Sequence, residues 1–432
     1  MATWWCESAW LSDGIQPGVA ISADEGVITD VETETAPRGQ RLDGLVFPGF
    51  ANTHSHAFHR ALRGRTQEQG DFWSWREAMY RVASLLEPDS YLTLATAVYA
   101  EMALAGYTCV GEFHYLHHEP DGRPYSTPNA MGEALIEAAA RAGIRLTLLD
   151  TCYLAGGIGR ALDSRQARFS DGDAAAWAER VSKMPETPQT KIGAAIHSVR
   201  AVPQDEIPTV VEAATSRPLH VHVSEQPAEN EETRRAFGLS PTGLLAERGA
   251  LGPNTTVVHA THVSADDLEI LGISGTGACI CPTTERDLGD GIGPAWELAE
   301  AGVLLSVGSD QHAIIDPFEE IRGLELHERL DTGARGAFSP AQLVAILTRH
   351  GYRALGWDGG GRIEVGAPCD LVAVDPNTVH TAGSAPEQLI YAATAADVTD
   401  VVVGGEAIVA EGKHRLGDVA RLLGEAIGPL WQ

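Results

Sequence analysis

The chain is 432 residues long, 44% hydrophobic and 21% charged, with a formal net charge of -28. This composition excludes a disordered or fibrous protein and leaves enough chain for a large barrel core with a smaller added domain. The acidic balance, with no long run of Lys or Arg, argues against nucleic acid and anionic membrane surfaces as partners.

No apolar run reaches the roughly 18 residues that span a bilayer. The start, Met1-Ala2-Thr3-Trp4-Trp5-Cys6, lacks a basic segment ahead of an apolar core, so a cytoplasmic protein without a secretory signal is expected. Cys6, Cys109, Cys152, Cys279, Cys281 and Cys369 form no CxxC pair and read as reduced packing residues.

Residues 1 to about 44 contain short strand-like pieces with glycine turns, such as Gly18 to Ser22 and Gly26 to Val31. Eight strand candidates follow: Leu45 to His54, Thr108 to Tyr115, Arg145 to Leu154, Lys191 to Ser198, Pro218 to Glu225, Thr255 to His262, Gly277 to Thr284 and Val303 to Asp310. Between them lie Ala-rich segments with helical spacing, such as Tyr91 to Ala105 and Pro128 to Ala142. Eight alternating units predict an α/β fold, a closed parallel (β/α)8 TIM-like barrel over residues 45–359. Residues 360–432 return to strand-like pieces, Asp370 to Val374 and Val401 to Gly405. The alternating pattern at both ends predicts one small β-sandwich domain built from residues 1–44 and 360–432.

Polar residues that bind metals or move protons collect at the C-terminal ends of these strands, where barrel enzymes build their sites. Strand one ends in His54 and His56, strand two in Glu112, His114 and Tyr115, and strand four in His197 and Arg200. Strand five carries His220, His222 and Glu225, strand six His259 and His262, and strand eight ends Gly308-Ser309-Asp310. In an extended strand residues two apart face the same way, so His54 and His56 can grip one ion. Adding His222 and Asp310 completes three nitrogens and a carboxylate at one barrel mouth, a set suited to catalytic zinc, although such donors suit iron and other divalent ions too. Strand four offers no Lys to bridge a second ion, so a single metal is expected.

His220 could compete as a ligand but lies deeper in its strand and reads as a packing histidine behind the site. Glu225, at the point where strand five gives way to its loop, is placed over the metal-bound water. His259 is assigned to catalysis and His262 to structure.

The stretches His54-Ser-His-Ala-Phe58, Phe72-Trp-Ser-Trp-Arg-Glu77, Gly111-Glu-Phe-His-Tyr115, His197-Ser-Val-Arg-Ala-Val202, His220-Val-His-Val-Ser-Glu-Gln226, Val258-His-Ala-Thr-His262, Leu288-Gly-Asp-Gly-Ile292 and Gly308-Ser-Asp310 carry a resemblance. The chain resembles the amidohydrolase superfamily and, within it, the N-formimidoyl-L-glutamate deiminases of bacterial histidine degradation. The resemblance implies one zinc per subunit on His54, His56, His222 and Asp310, with Glu225 and His259 acting on substrate; Asp310 is expected to accept the water's proton while remaining a ligand. It implies that Arg76, Tyr115, His197 and Arg200 receive the two substrate carboxylates, and that the protein is a homodimer. Arginines suit that task chemically, since a guanidinium binds a carboxylate through two parallel hydrogen bonds. The chain departs from the family pattern at His59, where glutamine is usual. This residue too is expected near substrate, and histidine still donates a hydrogen bond. The alternatives are a superfamily deaminase acting on a purine-like, pterin or triazine ring, an amide or lactone hydrolase on the same scaffold, and a catalytically dead binding module.

Overall fold

Short apolar runs alternating with Ala-rich amphipathic segments fold into parallel strands with helices packed outside. The protein is described by a computed structural model covering residues 2–66 and 72–432, with backbone alone for residues 72–74. The side chains of Phe72, Trp73 and Ser74, the first half of the Phe72–Glu77 motif, therefore lie outside what is described.

Two eight-stranded sheets organise the chain. One is mixed and comes from both termini: β1 (Ala2–Leu11), β2 (Gly14–Asp24), β3 (Val27–Glu32) and β4 (Gln40–Pro48) join strands from residues 371–414. The other, parallel throughout, runs β5 (Phe50–Ser55), β6 (Tyr107–His114), β7 (Arg145–Cys152), β8 (Thr190–Ile196), β9 (Leu219–Val223), β10 (Thr255–His259), β11 (Gly277–Ile280) and β12 (Leu305–Val307) in sequence order. With helices between strands, this is a (β/α)8 barrel. β13 (Leu371–Val374), β14 (Val398–Val403), β15 (Glu406–Ala410) and β16 (Lys413–His414) complete the terminal sheet, with β13 pairing antiparallel to β4.

The terminal sheet curls back on itself. Val27 bridges to Pro368, just before β13, and Trp4, Val19, Ile21, Leu42, Leu371 and Val402 share a core separate from the barrel's, forming the small β-sandwich. All six cysteines are free and buried.

The run Leu45 to His54, predicted as one strand, is two. Leu45–Pro48 belongs to β4 in the terminal sheet, and the barrel starts at Phe50. Gly49 makes the crossing because a Cβ there would come within 2.3 Å of Thr108 Oγ1 and 2.8 Å of the Asp370 side chain. The apolar run is unbroken in sequence because both sheets bury it. The chain beyond β16 is helical, and helix Val419–Ile427 packs on barrel helix Pro88–Leu104, with Trp431 Nε1 donating to the Ala61 carbonyl at 3.0 Å.

The later barrel strands stop earlier than their apolar runs suggest. β9 ends at Val223, β10 at His259 and β12 at Val307. Positive φ at Ser224 (52°), His259 (70°), Ala260 (52°) and Asp310 (41°) turns the chain off the strand direction there. Non-glycine residues adopt this region at a cost, and such residues cluster at functional sites.

Candidate active site and metal centre

β5 brings His54 and His56 to one face, while Ser55 between them turns the other way and donates to Glu112 Oε2 at 2.8 Å. β9 contributes His222, and the turn after β12 contributes Asp310. The ligating atoms of these four buried residues lie within 4.8 Å of one another. His222 Nε2 and His54 Nε2 are 3.0 Å apart, and Asp310 Oδ1 is 3.4 Å from His54 Nε2 and 3.3 Å from His56 Nε2. Tetrahedral coordination with bonds of about 2.05 Å separates donors by roughly 3.3 Å, so the set fits one zinc-sized ion.

The outer ring nitrogens fix which atoms face inward. His56 Nδ1 donates to the Phe113 carbonyl and His222 Nδ1 to the His197 carbonyl, each at 2.9 Å, leaving Nε2 lone pairs convergent. Burial, and for His54 and His222 the neighbouring imidazoles, push the pKa of all three histidines below the ordinary value, favouring the neutral form that binds metal. Burial alone would raise Asp310, but His259 and the other imidazoles hold it low.

His259, at the end of β10, points Nε2 between two carboxylates, 3.8 Å from Asp310 Oδ2 and 4.0 Å from Glu225 Oε1. Burial opposes its charge, yet Glu225, Glu285 and Asp310 raise it to about 10, which favours the protonated form. Burial raises Glu225. Glu285 was not singled out in the sequence. It lies in helix Pro282–Leu288 and accepts from His259 Nδ1 at 3.4 Å and from the Cys281 amide at 2.9 Å. Its only signal was a glutamate five residues past an apolar strand.

One pocket collects the remaining residues. His59, Arg76, Tyr115, His197, Arg200, Glu225, His259 and Asp310 all line it. His59 Nε2 and the Tyr115 hydroxyl are 3.0 Å apart, and His59 lies over His56 with ring centroids 4.6 Å apart. Arg76 sits in helix Phe72–Leu85, where Trp75, Met79 and Val82 follow helical spacing; its Nε donates to the Tyr80 hydroxyl at 2.6 Å. Tyr153 and Phe169, also in the wall, were missed because nothing in their local sequence marks them.

Glu112 and His114 do not join the pocket, contrary to their grouping with Tyr115. Alternation along β6 turns them outward, where Glu112 accepts from the Ala57 amide at 2.7 Å. His114 lies beside His117 and Asp150 in a second cluster with ligand-like spacing. There Arg180 already donates to both Asp150 oxygens, at 2.8 and 2.9 Å, so the cluster is an ion-pair network unsuited to a further cation. His220 Nε2 meets the Ala354 carbonyl at 3.0 Å behind the site, and His262 Nε2 meets the Asp290 carbonyl at 2.8 Å.

A barrel with inward His and Asp donors at its C-terminal mouth defines a metal-dependent hydrolase, and the chain belongs to the amidohydrolase family, whose model matches residues 45–408. It is 36% identical to the formimidoylglutamate deiminase of Pseudomonas aeruginosa over 436 residues, covering 96% of each chain. It is 30% identical over 418 residues to a 5-methylthioadenosine/S-adenosylhomocysteine deaminase of Natronomonas pharaonis, covering 93% of this chain and 92% of the relative. Among solved structures, an amidohydrolase from Brucella melitensis superposes with a TM-score of 0.94 at 34% identity over 100% of both chains.

Proposed function

We propose that the protein hydrolyses N-formimidoyl-L-glutamate to N-formyl-L-glutamate and ammonia, as a step of histidine degradation. The observation that carries this reading is that Arg76 and Arg200 line the same pocket as the metal-type donors, in a chain of net charge -28. A linear dicarboxylate amidine needs cations for its carboxylates and a hydrolytic centre for its C–N bond. The 36% identity to a formimidoylglutamate deiminase over nearly the whole chain supports the same substrate.

In this reading His54, His56, His222 and Asp310 would hold one zinc ion, which when bound would lower the pKa of a water. Asp310 accepts a proton from the water that adds to the formimidoyl carbon. Glu225 carries the proton to the imino nitrogen, and the His259 imidazolium hydrogen-bonds the developing tetrahedral centre. The hydroxyl of that centre then gives up its own proton, again by way of these carboxylates, to the former imino nitrogen as its C–N bond breaks, so that ammonia leaves and the formyl carbonyl forms. Arg76, Arg200, Tyr115, His197 and His59 orient the two carboxylates.

A second reading, deamination of a purine-like ring, is favoured by the aromatic wall, where Phe169 lies 5.2 Å from Tyr115 and 5.4 Å from Tyr153 between ring centroids. Ammonia release from N-formimidoyl-L-glutamate, compared with guanine and adenosine-type substrates on protein of measured zinc content, separates the two. No ammonia from the amidine with zinc-replete protein overturns the first.

A further inference from the structure

One carboxylate in the pocket wall takes no part in the chemistry above. Glu229 sits in the first turn of helix Pro227–Phe237, directly after the Glu225 loop, and its side chain is 0% exposed. Among the described residues neither of its oxygens has a side-chain hydrogen-bond partner, the Ser224 backbone being the polar group beside it, and Nε of Arg200, 3.8 Å from Glu229 Oε2, has none either. Arg200 is 24% exposed, and both residues line the pocket. Burial pushes the Glu229 carboxyl up to about 7, with Arg200 opposing. Burial works against the Arg200 charge, and Glu229 first, then Glu225, sustain it.

An arginine side chain has several freely rotating bonds, and a guanidinium in an acidic pocket turns toward whichever carboxylate holds it best. Glu225 is the competing partner, and an Arg200 drawn onto Glu225 would occupy the group proposed to shuttle the proton. A buried cation without a partner is disfavoured, and among the described residues Glu229 is the carboxylate within 4 Å of Arg200, which favours keeping the two together.

We infer that Glu229 is a positioning residue that braces the Nε edge of Arg200, so that the terminal nitrogens form a two-pronged fork toward a substrate carboxylate. This rests on the role given to Arg200 under the proposed function. Glu229 touches no reacting atom and acts through the arginine alone.

The test is a double-mutant cycle in full-length, zinc-replete protein with N-formimidoyl-L-glutamate, joined to crystal structures of the parent and Glu229→Gln. Glu229→Gln is expected to raise KM about fivefold or more with kcat changed less, and Glu229→Asp, which keeps the charge, to recover part of the loss. In an Arg200→Ala background the Glu229→Gln change is expected to have no further effect. The guanidinium of Arg200 is expected to be displaced in the Glu229→Gln crystal. An unmoved guanidinium, or an equal KM effect of Glu229→Gln with and without Arg200, overturns the brace while leaving the substrate reading intact. An Arg200→Ala protein with unchanged KM overturns the carboxylate role of Arg200 itself.

Discussion

The Asp310 amide donates to the carbonyl of His54 at 3.0 Å, so two of the four metal-type side chains belong to residues that also close the barrel. The return bond runs from the His56 amide to the Asp310 carbonyl at 3.1 Å, which brings a third of the four into the closure. Asn52 finishes the seam by accepting from the Ser309 amide at 2.9 Å and donating to the Ser309 hydroxyl at 2.7 Å. Among the described residues β5 and β12 share no longer ladder, so site geometry and barrel closure are coupled.

Gly308 gives that coupling a direct test. A Cβ at this position would lie 2.7 Å from His54 Cβ and 2.8 Å from its backbone nitrogen and oxygen, which neither strand can relieve without moving His54. Gly308→Ala is expected to lower stability by about 1–3 kcal/mol and weaken metal binding together. Thermal unfolding and metal analysis on one preparation check this; tight metal binding with reduced stability would uncouple the two.

Glu225→Gln keeps shape and removes the ionisable carboxylate. Turnover is expected to fall roughly a hundredfold or more with zinc content unchanged. Near-normal turnover would remove Glu225 from the proton path.

Glu285 holds His259 from behind. Glu285→Gln, which removes a charge beside the imidazolium, is expected to lower kcat about tenfold while leaving KM nearly unchanged. Steady-state kinetics decide it, and an unaltered kcat means the 3.4 Å contact does not orient His259 for catalysis.

Acid stability follows from two histidines remote from the site. Burial lowers His117 and His414 from 6.5 to about 4, and Nε2 of each donates to a backbone carbonyl, Thr151 at 2.9 Å and Ala142 at 3.0 Å. An imidazole kept neutral when folded takes up its proton more readily unfolded, so stability is full above about pH 6.5 and is lost as pH falls toward 4. His414→Gln, which keeps a donor for the Ala142 carbonyl, is expected to flatten Tm against pH over that window. An identical slope in the variant removes His414 as a contributor.

Much of the architecture was readable because it repeats local patterns. β-branched runs bounded by Gly and Pro mark strands whatever lies beyond them, and helix Ala130–Ala142 ends at the left-handed Gly143 near its predicted boundary. His54, His56, His222 and Asp310 were legible as a group because each ends a strand, and strand ends of a parallel barrel meet at one mouth. Arg76 was legible as a residue through the motif that carries it, while its helix, Phe72–Leu85, was not.

The sequence by itself thus determined the class of fold and the donor types at the barrel mouth, both consequences of side-chain periodicity along each strand. Only the tertiary structure decided which way neighbouring polar residues face. It turned Glu112 and His114 out of the pocket, put Glu285 behind His259 and Glu229 beside Arg200, and split the run at Gly49 between two sheets. The physical reason is the same in each case: these are contacts between residues of different strands and helices, and sequence periodicity reports which face of its own element a residue occupies, not what the fold places opposite it.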